Sequence, residues 1–186
     1  MSTEADEVLK FWFKECSHKD WFKAKLAFDR IIEKRFLDLN RKASSGACNK
    51  WSKKPKQCLA LIIVLDQFTR NLFRGSPHAF ENDKAALNWT KFALEKNYLV
   101  HYKPEEIQFC LLPLIHSEDL AHHKLATCTR ERVLTKHPRF HALKKAWDDH
   151  QVPIKKFGRY PHRNVVLGRT STTQEMAFLK TPNSSW

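Results

Sequence analysis

Three short stretches hold most of the side chains able to do chemistry. The first is LDQFTRNLFR, residues 65–74. It sets Asp66, Arg70 and Arg74 at i, i+4 and i+8, so a continuing helix carries all three on one stripe. Gln67 and Asn71 form a neighbouring pair four residues apart. The stretch ends the most hydrophobic run of the chain, where a charge must be paired or wet. Two readings follow. In one, an Asp66–Arg70 ion pair pins this helix to a neighbour. In the other, a guanidinium is presented to a ligand carboxylate or phosphate, with Asp66 holding it in place.

The second stretch is LLPLIHSED, residues 111–119. Ser117 is expected to cap a following helix, with Glu118 at its positive end, a setting that orients groups and attracts anions. His116 and Glu118 are candidates for sharing a proton. A metal needs three or more ligands, and His122 and His123 lie about one turn further on, so plain capping outweighs a metal site. The third stretch, FGRYPHRNVVLGRTSTTQE (157–175), packs Arg159, His162, Arg163, Asn164 and Arg169 into a non-helical segment. Gly158 and Gly168 allow close backbone approach. Its arginines either bond helix C-terminal carbonyls or line a binding loop.

The elements that must position these residues are helical. Thr3 is a candidate N-cap with acids after it, and Val8, Leu9, Phe11, Trp12 and Phe13 give an apolar face. Phe28, Ile31, Ile32, Phe36 and Leu39 recur at helical spacing, and Gly46 can end that helix. Residues 52–73 are apolar on every side of their middle, as a central helix would be. Ser76–Pro77, Lys103–Pro104, Ser117 and Pro138 read as helix starts, and Asn97 as a stop. Pro153 is expected to interrupt or kink the chain. Thr172 and Glu175 have capping-box spacing. No alternating pattern is longer than NVVL (164–167), so the expected architecture is a single all-α domain over residues 1–186, with seven or eight antiparallel helices.

The totals narrow the function classes. The chain has 186 residues and 42% hydrophobic composition, enough for one domain with its own core. Lys plus Arg number 33 against 20 acids, a net charge of +13 that favours anionic partners or simply a solvated surface. The longest apolar run, CLALIIVL, falls far short of the ~20 residues that span a bilayer. Five cysteines with no CxxC spacing point to reduced thiols and a cytoplasmic setting, and the N-terminus lacks a signal-peptide shape.

These clusters also carry a resemblance. VLKFWF (8–13), LALIIVLDQFTRNLFRGSPHAFENDKAAL (59–87), HSED (116–119) and HQVPIKKFGRYPHRNVVLGRTSTTQEMAFL (150–179) occur in the order seen in the bacterial domain-of-unknown-function 924 family. The chain is identified as a member. The resemblance implies a tetratricopeptide-like helical fold and supplies no activity. It implies a signature rich in Arg, His, Asn and carboxylate, including His150 and Glu175 beside the residues above. Thr69 stands where the family usually has Pro.

Such a signature suits a pocket. The leading expectation is a small anionic metabolite bound and transformed by acid–base or hydrolytic chemistry. His116, Glu118, His162 and Asp66 are the acid–base candidates. Gln67, Arg70, Asn71, Arg74, Arg159, Arg163, Asn164 and Arg169 are the ligand-binding candidates. No cofactor and no metal are expected, since no phosphate loop, nucleophile elbow or zinc motif is present. A protein-interaction module, with the clusters buried as internal ion pairs, is the alternative. Nucleic-acid binding through the surface charge ranks third, and no membrane partner is expected.

Overall fold

The computed structural model describes residues 3–22, 25–182 and 184–185. The chain is all-α, with no strand among the described residues. It divides into two compact units, residues 1–113 and 114–186.

The first unit opens with α1 (Glu4–Lys10), closed at its start by a Thr3–Asp6 capping box. The helix then widens into a π turn, Phe11–Glu15, where the Cys16 N–H reaches back five residues to the Phe11 carbonyl. Short α2 (His18–Phe22) and long α3 (Leu26–Ser44) follow, and Gly46 breaks the chain away at φ 85°. The expected central helix is α4 (Pro55–Ile63), whose residues Cys58 to Ile63 are fully buried. It runs into a π turn at Val64–Phe68 and ends as α5 (Thr69–Leu72). Ser76 caps a 3-10 turn at Pro77–Phe80, and α6 (Asp83–Glu95) begins only after it. The expected single helix from Ser76 is therefore two elements. Asn97, at φ 54°, supplies the stop, and α7 runs Pro104–Ile115.

Inside this unit α4 packs against α1 and α6, while α3 packs against α5 and the second π turn. The core is apolar and aromatic. Phe11 and Phe36 lie 5.0 Å apart, Phe36 and Phe68 4.8 Å, and Trp12 meets Phe109 edge-on at 5.4 Å. The π turn leaves helical carbonyls to other partners. Asn40 Nδ2 donates to the Val64 carbonyl at 3.0 Å and to Thr69 Oγ1 at 2.9 Å. Asn82 Nδ2 donates to the same Thr69 oxygen at 3.0 Å and to Ser44 Oγ at 2.7 Å. Thr69 is thus a hub that a proline at this position would remove.

The second unit holds α8 (Leu120–Val133), α9 (Phe140–Phe157) and α10 (Thr173–Leu179). The α8 N-cap is Asp119, not Ser117; its carboxylate accepts the Ala121 N–H, while Ser117 Oγ accepts the Asp119 N–H. Pro138 lies before α9, which starts at Phe140. Pro153 does not interrupt α9. The proline and Ile154 are both buried, and that packing outweighs the ~3 kcal/mol an internal proline costs. Gly158, left-handed at φ 69°, ends the helix instead. The NVVL segment is turn, not strand. Thr172 and Glu175 form the capping box in full.

Buried Arg130 joins α8 to α9. It donates to the Lys144 carbonyl at 3.3 Å, to Asp148 at 3.2 Å and to Glu131 at 2.9 Å, and lies 5.6 Å from the Trp147 ring. All five cysteines are free; burial pushes the Cys58 thiol up to about 12 and Cys110 well above its ordinary value, so both act as small hydrophobes.

Thr69→Val leaves two buried amides short of an acceptor. It is expected to cost about 1–3 kcal/mol in urea unfolding, whereas Thr69→Ser costs less than half of that.

Candidate functional site

The segment after α9 is held by backbone clamps. Tyr160 is 1% exposed. Its N–H donates to Glu118 Oε1 at 2.8 Å, and its carbonyl accepts Arg169 Nη2 at 3.1 Å. Arg169 closes the clamp by gripping Glu118 through two nitrogens, Nη1 to Oε2 at 2.6 Å and Nη2 to Oε1 at 2.9 Å. The Tyr160 hydroxyl donates to the Ile115 carbonyl at 2.5 Å. Glu118 and Arg169, predicted as a candidate acid–base residue and a ligand-binding residue, are thus brought into one pair within the second unit.

A second clamp lies alongside. Arg159 grips Glu175 through Nε at 2.6 Å and Nη2 at 2.8 Å, and also donates to the Thr170 carbonyl at 3.0 Å. Asn164 is fully buried; its Nδ2 donates to Ser171 Oγ at 3.0 Å, and its carbonyl accepts the Arg169 N–H at 2.7 Å. Arg163 donates to the His116 carbonyl at 2.9 Å, and its guanidinium lies 4.5 Å from the centre of the Tyr160 ring.

The imidazoles gather on the same tyrosine. His162 lies 5.3 Å from the Tyr160 ring, His123 6.2 Å and His150 6.3 Å, centre to centre. His116 is near enough to oppose the protonated form of both His123 and His150. His123 is fully buried; its Nε2–H donates to the Ser117 carbonyl at 2.8 Å, and Nδ1 has no hydrogen-bond partner among the described residues. His150 donates from Nδ1 to the Ala146 carbonyl at 2.6 Å. His122 Nδ1 meets Ser117 Oγ at 2.7 Å.

The electrostatics follow from these contacts. Burial disfavours the cationic form of His123 and of His150, and neighbouring imidazoles add to it; His150 falls to about 3. Burial works to raise Glu118, yet the Arg169 guanidinium and the Tyr160 N–H hold its carboxyl below the ordinary value. Arg159 and the Thr172 N–H hold Glu175 down to about 2. The two carboxylates are therefore charged at neutral pH, while His123 and His150 are neutral.

The first cluster lies in the other unit and forms its own network. Asp66 is 1% exposed and accepts from Gln67 Nε2 at 2.5 Å. Arg70 lies 3.7 Å from Asp66 and 2.8 Å from Asp83, with Phe80 beneath its guanidinium at 5.2 Å. The closer partner of Arg70 is thus Asp83 on α6, which the i, i+4 spacing did not indicate. Asn71 donates to the Gln67 carbonyl at 2.8 Å, and Arg74 binds Asp29 of α3 with Nε at 2.8 Å and Nη2 at 3.0 Å. The same unit carries an open cleft of about 620 Å³ between Ser44–Gly46 and the Asn88–Glu95 face of α6, and none of the predicted site residues lines it.

Sequence reasoning did not assign roles to Tyr160, His123, Asp83 or Asp29. For Asp83 the one signal was an acid in the first turn of a helix; Asp29 lies 45 residues from its arginine and gives none. No group of three His, Cys, Asp or Glu among the described residues is placed to hold a metal ion. No helix of the described residues is long and apolar enough to cross a membrane.

Comparisons with known proteins agree on kinship and add no activity. The family model described as bacterial protein of unknown function (DUF924) matches residues 8–183. A solved structure, the protein of unknown function ATU0120 from Agrobacterium tumefaciens, is similar at 30% identity and a TM-score of 0.84, over 95% of this chain and 96% of that one. No curated protein matches.

Tyr160→Phe keeps the ring and removes the hydroxyl from the Ile115 carbonyl. The expected loss is about 1–3 kcal/mol of stability, read by thermal or urea unfolding.

Proposed function

The chain belongs to the DUF924 family of bacterial proteins of unknown function, and from that premise we propose that its second unit binds a small anionic metabolite and acts on it by acid–base chemistry. The observation that carries this reading is the meeting of two polar clusters, far apart in sequence, around Tyr160. His116 and His162 are the groups that hold or move a proton. Glu118 orients the segment as a positioning residue, since its oxygens already accept from Arg169 and the Tyr160 N–H. Arg159 and Arg169 fix the loop, and Arg163 and Asn164 are the residues this reading assigns to the ligand.

Charge supports an anionic ligand. Residues 114–186 contain 13 Lys plus Arg and 6 Asp plus Glu, 13 − 6 = +7 in under half of the chain. The network of Asp66, Gln67, Arg70, Asn71 and Arg74 lies in the first unit, and this reading leaves it there as a helix lock. A cytoplasmic setting suits a metabolite ligand and free thiols.

A second reading, a helical module for a protein partner, draws on a different observation: Arg159 and Arg169, the bidentate arginines of the second unit, spend their nitrogens on carboxylates of that same unit. Calorimetric titration separates the two. Inorganic phosphate, sulfate, dicarboxylates and nucleoside monophosphates are titrated into the full chain and into His162→Ala. The metabolite reading expects at least one binder and a loss of about tenfold or more in affinity for the variant. Binding unchanged in His162→Ala, or no heat from a folded chain with any member of the panel, overturns it in favour of the module.

A further inference from the structure

Seven of the chain's ten histidines fall in residues 114–186: 116, 122, 123, 137, 141, 150 and 162. Three of them place their rings within 6.3 Å of the Tyr160 ring centre, and a fourth, His116, gives its carbonyl to Arg163 over the same ring.

The imidazoles of His123 and His150 have their tautomers set by backbone acceptors. His123 donates through Nε2 to the Ser117 carbonyl, and His150 donates through Nδ1 to the Ala146 carbonyl. Each of these two contacts uses a single N–H. On His123 a second proton would add a charge and a further donor at Nδ1, which has no acceptor among the described residues. On His150 it would add a charge that burial and the neighbouring imidazoles disfavour.

The charged neighbours do not favour that proton. The α7–α8 connection contributes His116, Glu118 and Asp119, whose carboxylate lies 3.8 Å from His122 Nδ1 and accepts the Ala121 N–H; α8 contributes His122 and His123, and α9 contributes His150. The segment after α9 contributes Arg159, His162, Arg163 and Arg169, and α10 contributes Glu175. The carboxylates of Glu118 and Glu175 are committed to Arg169 and Arg159 and to backbone N–H groups. Both stay charged well below neutrality, so they neither gain a proton nor turn toward an imidazole in the range where histidine titrates.

We infer that the imidazoles of His123 and His150, packed on Tyr160, form an acid-sensitive latch that holds the 158–169 segment in place at neutral pH and releases it on acidification. The sign follows from proton linkage. Both groups bind protons less readily in the folded unit than in the open chain, so the open form takes up more protons as pH falls. The stabilisation is complete above the ordinary histidine value of about 6.5 and is lost as pH drops from there toward the lowered folded values. The latch does not depend on the ligand reading. It holds for an interaction module as well.

Hydrogen exchange of the full chain tests it, with rates corrected for intrinsic pH dependence. Between about pH 7.5 and pH 5, the opening equilibrium of residues 158–169 is expected to rise at least about thirtyfold, the factor for one imidazole kept neutral across that range. His150→Asn and His123→Gln each keep one N–H donor and cannot titrate. The double variant is expected to rise less than about threefold. A wild-type rise below about threefold, or an undiminished rise in the double variant, overturns the latch. If the variants do not fold, an NMR titration of the wild-type His150 ring decides. A midpoint below about 5 supports the latch, and an ordinary midpoint near 6.5 contradicts it.

Discussion

The second unit depends on one carboxylate. Glu118 is half-buried, and burying a carboxylate is costly unless its oxygens are filled. Here they are filled by two Arg169 nitrogens and the Tyr160 N–H. Because Arg169 also reaches the Tyr160 carbonyl, which accepts the Arg163 N–H of the following 3-10 turn as well, the pair engages both polar backbone atoms of that residue. The tyrosine ring is thereby set under Arg163 and among the imidazoles. The path of the loop is set by these charged contacts, and its glycines only permit it.

The two units solve burial differently. The first is closed by aromatic and aliphatic packing, with Asn40, Thr69 and Asn82 serving the π turn inside it. In the second, His123, Arg130, Arg163, Asn164 and Glu175 are buried together with Tyr160 and Trp147. Polar groups in such numbers specify one arrangement, since a partly paired network costs more than an apolar core would. They also make the unit responsive to proton concentration, which an aliphatic core is not.

Much of this was legible in sequence. Helical periodicity gave α3, α4 and α6, and the Thr3 and Thr172 caps follow from local chemistry that the chain obeys. Local signals misled where packing competed with them. Pro153 lies inside α9 because its surroundings bury it, and Asp119 displaces Ser117 as cap because the chain turns two residues later than the motif suggests. The residues of the candidate site were visible as polar clusters, and the family resemblance added His150 and Glu175. Their pairing was not visible. Arg169 meets Glu118 across 51 residues and Arg74 meets Asp29 across 45, and no spacing rule on one helix reports such contacts.

The central claim is that the Glu118–Arg169 clamp organises the segment around Tyr160. A double-mutant cycle tests it most directly, with Glu118→Gln, Arg169→Met and the combined variant measured by urea unfolding. A structural clamp predicts a coupling energy of about 1.5–3 kcal/mol. A coupling below about 0.5 kcal/mol, the value of an ordinary exposed ion pair, would contradict the account.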